Sequence, residues 1–374
     1  MKISAPWIFA AKPVCDMLTD AGHNAWFVGG CVRNALLDEP VADIDISTTA
    51  HPEAVMKLAK GAGFNAIPTG IDHGTITVVA NHIAYEITTL RKDIATDGRR
   101  AVVTFADTLE EDARRRDFTM NALYALPDGT IVDPLGGLPD LQARRFIFIE
   151  DPDQRIREDY LRILRFFRFH AWYGQDGIDA EGLAACAENI DGLDQLSRER
   201  IGSELLKFLA APNPAPALAS MASIGALIRI LPGATHEALA VLVHIEEAAG
   251  LKPDPIRRLA CIGGENAQDN LRLSKDQTKR MALLRESTSL NEAAYRHGAD
   301  IAIDQQAVLA ASLGQMLPDD AKAQATYAAK QTFPIKSKDL MPRFQGADLG
   351  QALKDAETRW LESGFTLTKD DLLA

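Results

Sequence analysis

Ala25-Trp26-Phe27-Val28-Gly29-Gly30-Cys31-Val32-Arg33-Asn34, followed after a short gap by Asp43-Ile44-Asp45-Ile46, decides how this chain is read. The apolar run over residues 25–28 enters a double glycine, and residues 32–37 have the composition of an opening helix. Glycine lets a backbone come close to a ligand, and the N–H groups at a helix start are free to bind phosphate. Arg33 adds a charge-assisted fork for the same group. Residues 43–46 alternate charge with isoleucine, the period of a strand, so the carboxylates of Asp43 and Asp45 project from one face. Two like charges there repel unless a divalent cation joins them, and magnesium favours carboxylate oxygens together with substrate phosphate. Taken singly, the first segment is also an ordinary turn and the second an ordinary solvated edge. Taken together they describe a site for phosphoryl chemistry.

Residues 74–80 and 82–90, rich in Thr, Val and Ile around Ala80-Asn81, predict a hairpin. Glu86 lies on its second strand and is the candidate for a third carboxylate, the alternative being a solvent-facing strand position. Residues 98–104 and 130–132 add further strand. From about Pro139 strand signals fade, and Ala, Leu, Glu and Arg recur at helical spacing. Asn213-Pro214-Ala215-Pro216, Lys252-Pro253-Asp254-Pro255 and Leu317-Pro318-Asp319-Asp320 mark helix boundaries. A chain of 374 residues exceeds one ordinary core. The fold class expected is α+β: a head with a mixed or antiparallel sheet, followed by a long all-helical body. The divisions are a head over 1–138, a helical neck over 139–211, and a helical body and tail over 212–374.

Composition is that of a soluble globular protein, 47% apolar and 25% charged, with no apolar run long enough to span a bilayer. The best candidate, residues 215–231, carries Pro216, Ser220, Ser223 and Arg229 and reads as a buried helix. The apolar patch over residues 5–11 has neither a charged leader nor a cleavage site, so no secretion signal is expected. Cys15, Cys31, Cys186 and Cys261 are scattered without metal-ligand spacing, which suits a reduced, cytoplasmic compartment. A formal charge of −12 argues against a protein that coats nucleic acid non-specifically. Arginine is nevertheless concentrated at Arg99-Arg100, at Arg114-Arg115-Arg116, at Arg144-Arg145 and over residues 155–168, enough for a local basic face.

The order of motifs resembles the class II CCA-adding enzyme and bacterial poly(A) polymerase family. Gly29-Gly30-Cys31-Val32-Arg33 and Asp43-Ile44-Asp45 open the resemblance. Arg115-Arg116-Asp117-Phe118-Thr119-Met120-Asn121-Ala122 and Asp133-Pro134-Leu135-Gly136-Gly137 continue it. Residues 157–169, from Arg157-Glu158-Asp159-Tyr160-Leu161-Arg162 onward, and Ser197-Arg198-Glu199-Arg200 with Glu204, complete it. Five ordered motifs over about residues 25–210 make a specific signal; beyond them the match is compositional. One departure is Asn34, where many relatives carry Asp. The resemblance implies a nucleotidyltransferase head, two magnesium ions held by Asp43 and Asp45, and a triphosphate held by Gly29, Gly30 and Arg33. It implies that Arg116, Asp117 and Asn121 contact the ribose, for which the structural alternative is an Arg–Asp pair locking the head to the next domain.

Residues 158–169 predict one helix, with Glu158, Arg162 and Arg165 on a common face and Asp159 three residues before Arg162. A carboxylate beside a guanidinium reads a base edge. Cytosine and adenine both show an exocyclic amine beside a ring-nitrogen acceptor, so Asp159 accepts from the amine and Arg162 donates to the ring nitrogen. Uracil and guanine reverse that pattern, at a cost of roughly 1–3 kcal/mol per contact. The alternative is an ordinary salt-bridged helix face. In the resembled family these positions choose the base, with Arg165 and Arg168 also near the nucleotide.

The reaction implied is attack by a tRNA 3′-hydroxyl on the α-phosphate of CTP or ATP, with the helical body binding the acceptor arm by shape and backbone charge. Poly(A) synthesis and partial, CC-only or A-only, addition use the same motifs. Residues 89–100, Thr89-Leu90-Arg91-Lys92-Asp93 through Asp97-Gly98-Arg99-Arg100, resemble the flexible loop of enzymes that add the terminal A, which argues against CC-only addition. From a different class comes a catalytically silent RNA-binding protein on the same scaffold; retention of Asp43, Asp45 and Arg33 argues against it.

Overall fold

The alternating segments of the head pair into one seven-stranded mixed sheet in the computed structural model, which describes residues 1–97, 100–341 and 343–374. Its strands are β1 (Ala25–Val28), β2 (Ile44–Thr48), β3 (Asn65–Gly70), β4 (Thr75–Ala80) and β5 (Ile83–Thr89), with β8 (Tyr124–Ala125) and β9 (Ile131–Val132). They run in the order β3-β4-β5-β2-β1-β8-β9. The β2–β5 pair is parallel and the others antiparallel. Asn81 and His82 both sit at positive φ, 50° and 65°, the backbone a two-residue hairpin turn needs to match the twist of β4 and β5. The helices Pro6–Thr19 and Pro52–Gly61 turn apolar faces to the sheet, burying Ile8, Ala11, Val14, Leu18, Val55 and Ala59.

Two departures from the sequence reading lie in this region. Strand β3 was not anticipated; it carries Pro68, which a strand tolerates at a sheet edge, and β3 is an edge. The segment read as a flexible loop instead contributes β6 (Arg91–Asp97), which pairs with β7 (Arg100–Phe105) in a separate two-stranded sheet. Its residues Gly98 and Arg99 lie outside the described residues.

This head and the helices after it form one compact unit, Met1–Glu204 with Ser223–Ile230. Asp133 caps the helix Leu138–Gln142 by accepting from Gly137 N (2.8 Å) and Leu138 N (3.0 Å). A methyl on Gly137 would meet Thr119 O at 2.4 Å, so the Asp133–Gly137 motif is a close backbone junction. Phe118, Phe146, Phe148, Phe166 and Phe169 pack ring against ring, with centroids 4.8–6.1 Å apart, and all are buried. That cluster fixes the helix Leu161–Tyr173 against the segment 116–121. The predicted buried helix over 215–231 is two helices, Ala215–Ser223 and Ala226–Ile230, broken at Gly225, whose φ is 79°.

The second unit, Leu205–Ala222 with Leu231–Ala374, is helical among its described residues. One apolar cluster gathers Ala302, Ile303, Ala325, Ala328, Trp360 and Phe365. A buried ion network ties the rest. Glu246, 2% exposed, accepts from Arg257 Nε (2.9 Å) and from Arg258 Nε and Nη2 (3.0 and 2.7 Å). Asp304 accepts from Arg257 and Arg280, and Arg258 also donates to the carbonyls of Leu209, Ala211 and Pro212. Removing Glu246 leaves the buried Arg258 guanidinium with carbonyl partners alone and takes one of two carboxylates from Arg257. Glu246→Ala is therefore expected to lower stability by about 3–5 kcal/mol in urea denaturation. A loss below about 1 kcal/mol, the scale of an exposed pair, would show that the network is not held closed.

Candidate active site

Strand β1 ends at the double glycine. Gly29 has φ 69° and ψ −121°, a conformation glycine alone adopts freely, and its N–H bonds Leu123 O at 3.1 Å. A methyl placed on Gly29 would lie 3.3 Å from Arg116 Nη1, and one on Gly30 3.9 Å from Arg33 Nη2. Two guanidinium groups thus flank the two glycines. The helix Gly30–Leu36 is only seven residues long, so the positive field here comes mainly from these side chains. Cys31 Sγ sits 3.3 Å from Val28 O and 3.8 Å from Asp45 O, which places the glycine turn against β2.

The parallel register sets Asp45 directly opposite Glu86. Asp43 stands exposed just before β2. Burial pushes the Asp45 carboxyl up to about 6, and the negative charges of Glu86 and Asp43 add to this while Arg116 opposes it. Among the described residues no three or more Asp, Glu, His or Cys side chains converge as a finished metal cage. Hard oxygen donors whose negative charges repel one another suit an ion that completes its shell with substrate phosphate and water, as magnesium does.

The linkage has a definite sign. Asp45 binds its proton more tightly in the fold than in the unfolded chain. Its contribution to stability is therefore present below about pH 4 and is lost as the pH rises to about 6. His170, whose pKa burial lowers, gives a slope of opposite sign nearby, so the difference between two proteins is the readout. Without metal, Asp45→Asn is expected to flatten the fall in thermal midpoint that the parent shows over this range. Parallel curves for the two proteins would remove Asp45 from the account.

Arg116 is held from behind. Its Nε donates to Tyr124 Oη (3.1 Å) and its Nη2 to Asp112 Oδ2 (3.2 Å), and Tyr124 Oη donates to the same oxygen at 2.7 Å. Asp112 is fully buried and also bonds Arg115. Burial alone would raise its pKa, but the two arginines hold it well below the ordinary carboxylate range. Asp117 has protein partners on both oxygens. Oδ1 accepts from Phe118 N and Asn121 Nδ2, each at 2.9 Å, and Oδ2 accepts from Arg165 Nε at 2.7 Å. Burial works against its charge, yet Arg165 and the Asn121 amide hold its carboxyl down at about 2. The Asp117–Arg165 pair crosses from the segment 116–121 to the helix Leu161–Tyr173, the locking arrangement that was the structural alternative.

The single helix expected over residues 158–169 is not formed. The helix Pro152–Glu158 ends, Asp159 is extended (φ −154°, ψ 103°), and the next helix starts at Leu161. Asp159 Oδ1 accepts from Leu161 N at 3.1 Å, a local bond that competes with helical pairing. Asp159 Oδ2 accepts from Arg200 at 2.7 Å. Arg162 is buried and donates to Glu158 (2.6 Å), Arg155 O (2.8 Å) and Arg115 O (3.0 Å). The shared-face spacing of Asp159 and Arg162 therefore does not apply; a chain break sets their relation. Arg168 is paired with Glu204. The guanidinium groups of Arg168, Arg33 and Arg165 lie 3.9, 5.0 and 5.1 Å from the centroid of Phe169.

Sequence reasoning passed over Asp112, Tyr124 and Tyr173. Asp112 had a usable signal, three and four residues before Arg115 and Arg116 at helical spacing. The two tyrosines had none: Tyr124 meets Arg116 and Asp112 across a turn with no regular spacing, and Tyr173 lies 140 residues from Arg33.

Residues 25–147 match the family model described as the Poly A polymerase head domain, and residues 177–237 that of a probable RNA and SrmB-binding site of polymerase A. Mouse mitochondrial CCA tRNA nucleotidyltransferase 1 is 31% identical over 97% of this chain and 88% of its own length. The chain belongs to the CCA-adding enzyme family. A CCA-adding enzyme of Streptococcus gordonii is 40% identical over 59% of this chain and 55% of its own. The crystal structure of the Bacillus stearothermophilus CCA-adding enzyme in complex with CTP is 28% identical, with a TM-score of 0.73 over 96% of this chain and 94% of that one. The expected α+β class is that of the CCA-adding family, whose nucleotidyltransferases use divalent metal ions. No helix among the described residues is long and apolar enough to cross a membrane.

Proposed function

We propose that this protein adds C, C and A to the 3′ end of tRNA from CTP and ATP, without a template, releasing pyrophosphate. The observation that carries the reading is the meeting of Asp45 and Glu86 across β2 and β5, beside a double glycine flanked by Arg33 and Arg116. Whole-length similarity to a CCA tRNA nucleotidyltransferase supports it. In this reading residues 1–138 form the catalytic head, 139–211 the base-recognition neck and 212–374 the tRNA-binding body, in a cytoplasmic enzyme whose cysteines are free.

Asp43 and Asp45 would hold two magnesium ions, which when bound acidify the attacking hydroxyl and neutralise charge on the departing pyrophosphate. Gly29 and Gly30 clear room for the triphosphate, and Arg33 and Arg116 supply positive potential at that spot. Asp112 and Tyr124 orient Arg116. Asp117, through Arg165 and Asn121, holds the neck helix against the head. Glu158 and two carbonyls fix the plane of the Arg162 guanidinium, and Arg200 fixes the Asp159 carboxylate. A base with an amine beside a ring acceptor then meets an acceptor and a donor that are already oriented. Preorganisation of this kind reduces the ordering cost of binding.

The test is incubation with tRNA transcripts ending before C74, C75 or A76, each nucleotide supplied separately. Stepwise addition of C, C and A that stops at A76 is expected. Extension past A76 would make the protein a poly(A) polymerase, and no extension with any nucleotide would make it an RNA-binding protein.

A further inference from the structure

The sheet that carries Asp45 and Glu86 has two unlike faces. Ile76, Val78, Tyr85 and Ile87 point to one of them and are fully buried. On the other face the register places Thr77 opposite Glu86, as it places Glu86 opposite Asp45. Residues opposite one another in a ladder point the same way, so a hydroxyl and two carboxylates form one row on strands about 4.8 Å apart. Glu86 is exposed and Thr77 half-buried. Beside Thr77 the β3–β4 register shifts between Ile67 and Gly70, and there the exposed Thr69 hydroxyl lies 2.8 Å from that of Thr77. A bulge is a common device for re-aiming a side chain next to a site.

The row has a direction. Strands β1 and β5 lie on opposite sides of β2. The double glycine that ends β1, with Arg33 and Arg116, is therefore on one side of Asp45, and Glu86 and Thr77 are on the other. In phosphoryl transfer the attacking oxygen and the leaving group lie roughly in line, on opposite sides of the phosphorus. With the triphosphate at the glycines, the attacking 3′-hydroxyl comes from the β5 side and brings its ribose over β4. The neighbouring 2′-hydroxyl of that ribose both donates and accepts. A threonine hydroxyl has one proton and two lone pairs, so within the Thr69–Thr77 pair one proton is used and one remains, with lone pairs to spare. Glu86, when ionised, offers acceptors alone.

We infer that Thr77, backed by Thr69, is the subsite for the 2′-hydroxyl of the terminal ribose of the acceptor RNA, one strand beyond the carboxylates that meet the attacking 3′-oxygen. This rests on the proposed function and deepens it. The subsite lets the enzyme tell an RNA end from a DNA end at the position where the new bond forms. It acts on the acceptor and not on the incoming nucleotide, whose phosphates lie on the other side of Asp45.

The experiment is a cycle between protein and substrate. Addition of CTP is measured on tRNA ending at C74, with the terminal sugar either ribose or 2′-deoxyribose, for the parent, Thr77→Val and Thr77→Ser. The parent is expected to lose about tenfold in kcat/KM on the deoxy end. Thr77→Val should lose about as much on the ribose end and nothing further on the deoxy end. Thr77→Ser, which keeps the hydroxyl, should restore the sensitivity to the 2′-hydroxyl. The preference for CTP over 2′-deoxy-CTP should be the same in the parent and in Thr77→Val. Valine keeps the shape of threonine and suits a strand, and circular dichroism checks the fold. If Thr77→Val does not fold, Thr77→Ala against Thr77→Ser gives the same cycle. Additive losses, or a parent indifferent to the 2′-hydroxyl of the acceptor, would overturn the inference. So would a changed preference between CTP and 2′-deoxy-CTP, which would put Thr77 on the incoming nucleotide. The parent on the ribose end tests the proposed function in the same assay: no extension there would sink that function, whereas additive losses in an active enzyme sink this inference alone.

Discussion

Asp45→Ala is expected to lower nucleotide addition by about 10³-fold or more, corresponding to several kcal/mol of charge stabilisation. Asp43→Ala should behave alike. The two variants differ in what they do to the fold. Asp43 is exposed, and its loss should leave the thermal midpoint near that of the parent. Asp45 carries a carboxyl whose ionised form is disfavoured by burial and by Glu86, so at neutral pH its removal should leave the metal-free protein at least as stable. That combination, activity lost with stability kept or gained, separates a ligand to an ion from a group that merely packs. Near-normal turnover with magnesium in either variant would refute the metal assignment. A stability loss of more than about 2 kcal/mol in Asp45→Ala would show that its carboxylate is structural in the free protein.

Arg162→Ala carries the second large effect, and the structure changes how it must be tested. A drop of about 10²-fold in kcat/KM is expected for CTP and ATP alike, because Arg162 is the proposed donor to the ring nitrogen that both bases share. Part of any loss will be structural: the half-buried Glu158 would keep its charge with one partner fewer, and the carbonyls of Arg115 and Arg155 would each lose a donor. Arg162→Lys keeps the charge near Glu158 while losing the planar fork, so activity lost in Lys and stability lost only in Ala apportion the two. Reversing the polarity with Asp159→Ala and Arg162→Asp would set a new carboxylate against Glu158 and two carbonyl oxygens. The swap therefore also needs Glu158→Gln. In that triple variant UTP or GTP incorporation into tRNA ending at C74 should rise relative to CTP and ATP, even at a low overall rate. An unchanged ranking would place base choice outside this pair, at Arg165, Arg168 or the RNA end.

The local chemistry of the chain was decided by its sequence. The apolar run before Gly29-Gly30, the alternation around Asp43 and Asp45, and the Thr/Val/Ile pattern of β4 and β5 each declare their structure within a few residues, because strand periodicity and glycine's backbone freedom are short-range properties. The helical character beyond Pro139 is legible for the same reason. Family membership was legible too, since the ordered motifs run from Gly29 to Glu204. Tertiary structure decided the rest. Only the parallel register of β2 and β5 puts Glu86 beside Asp45. Only packing of the Phe118–Phe169 cluster brings Arg165 to Asp117 and Tyr173 to Arg33. The break at Asp159 was hidden because its side chain competes with the helix and Arg200, far along the chain, holds it there. The strand over residues 98–104 was legible and is β7, but strands β3 and β6 were not, because Pro68 and a run of polar residues mask strands whose pairing is made by partners and not by their own pattern. Charge compensation is likewise a matter of who meets whom in space. Arg116 and Arg162 find carboxylates four residues before them, whereas Arg165 and Arg168 find theirs in distant segments, which no local spacing encodes.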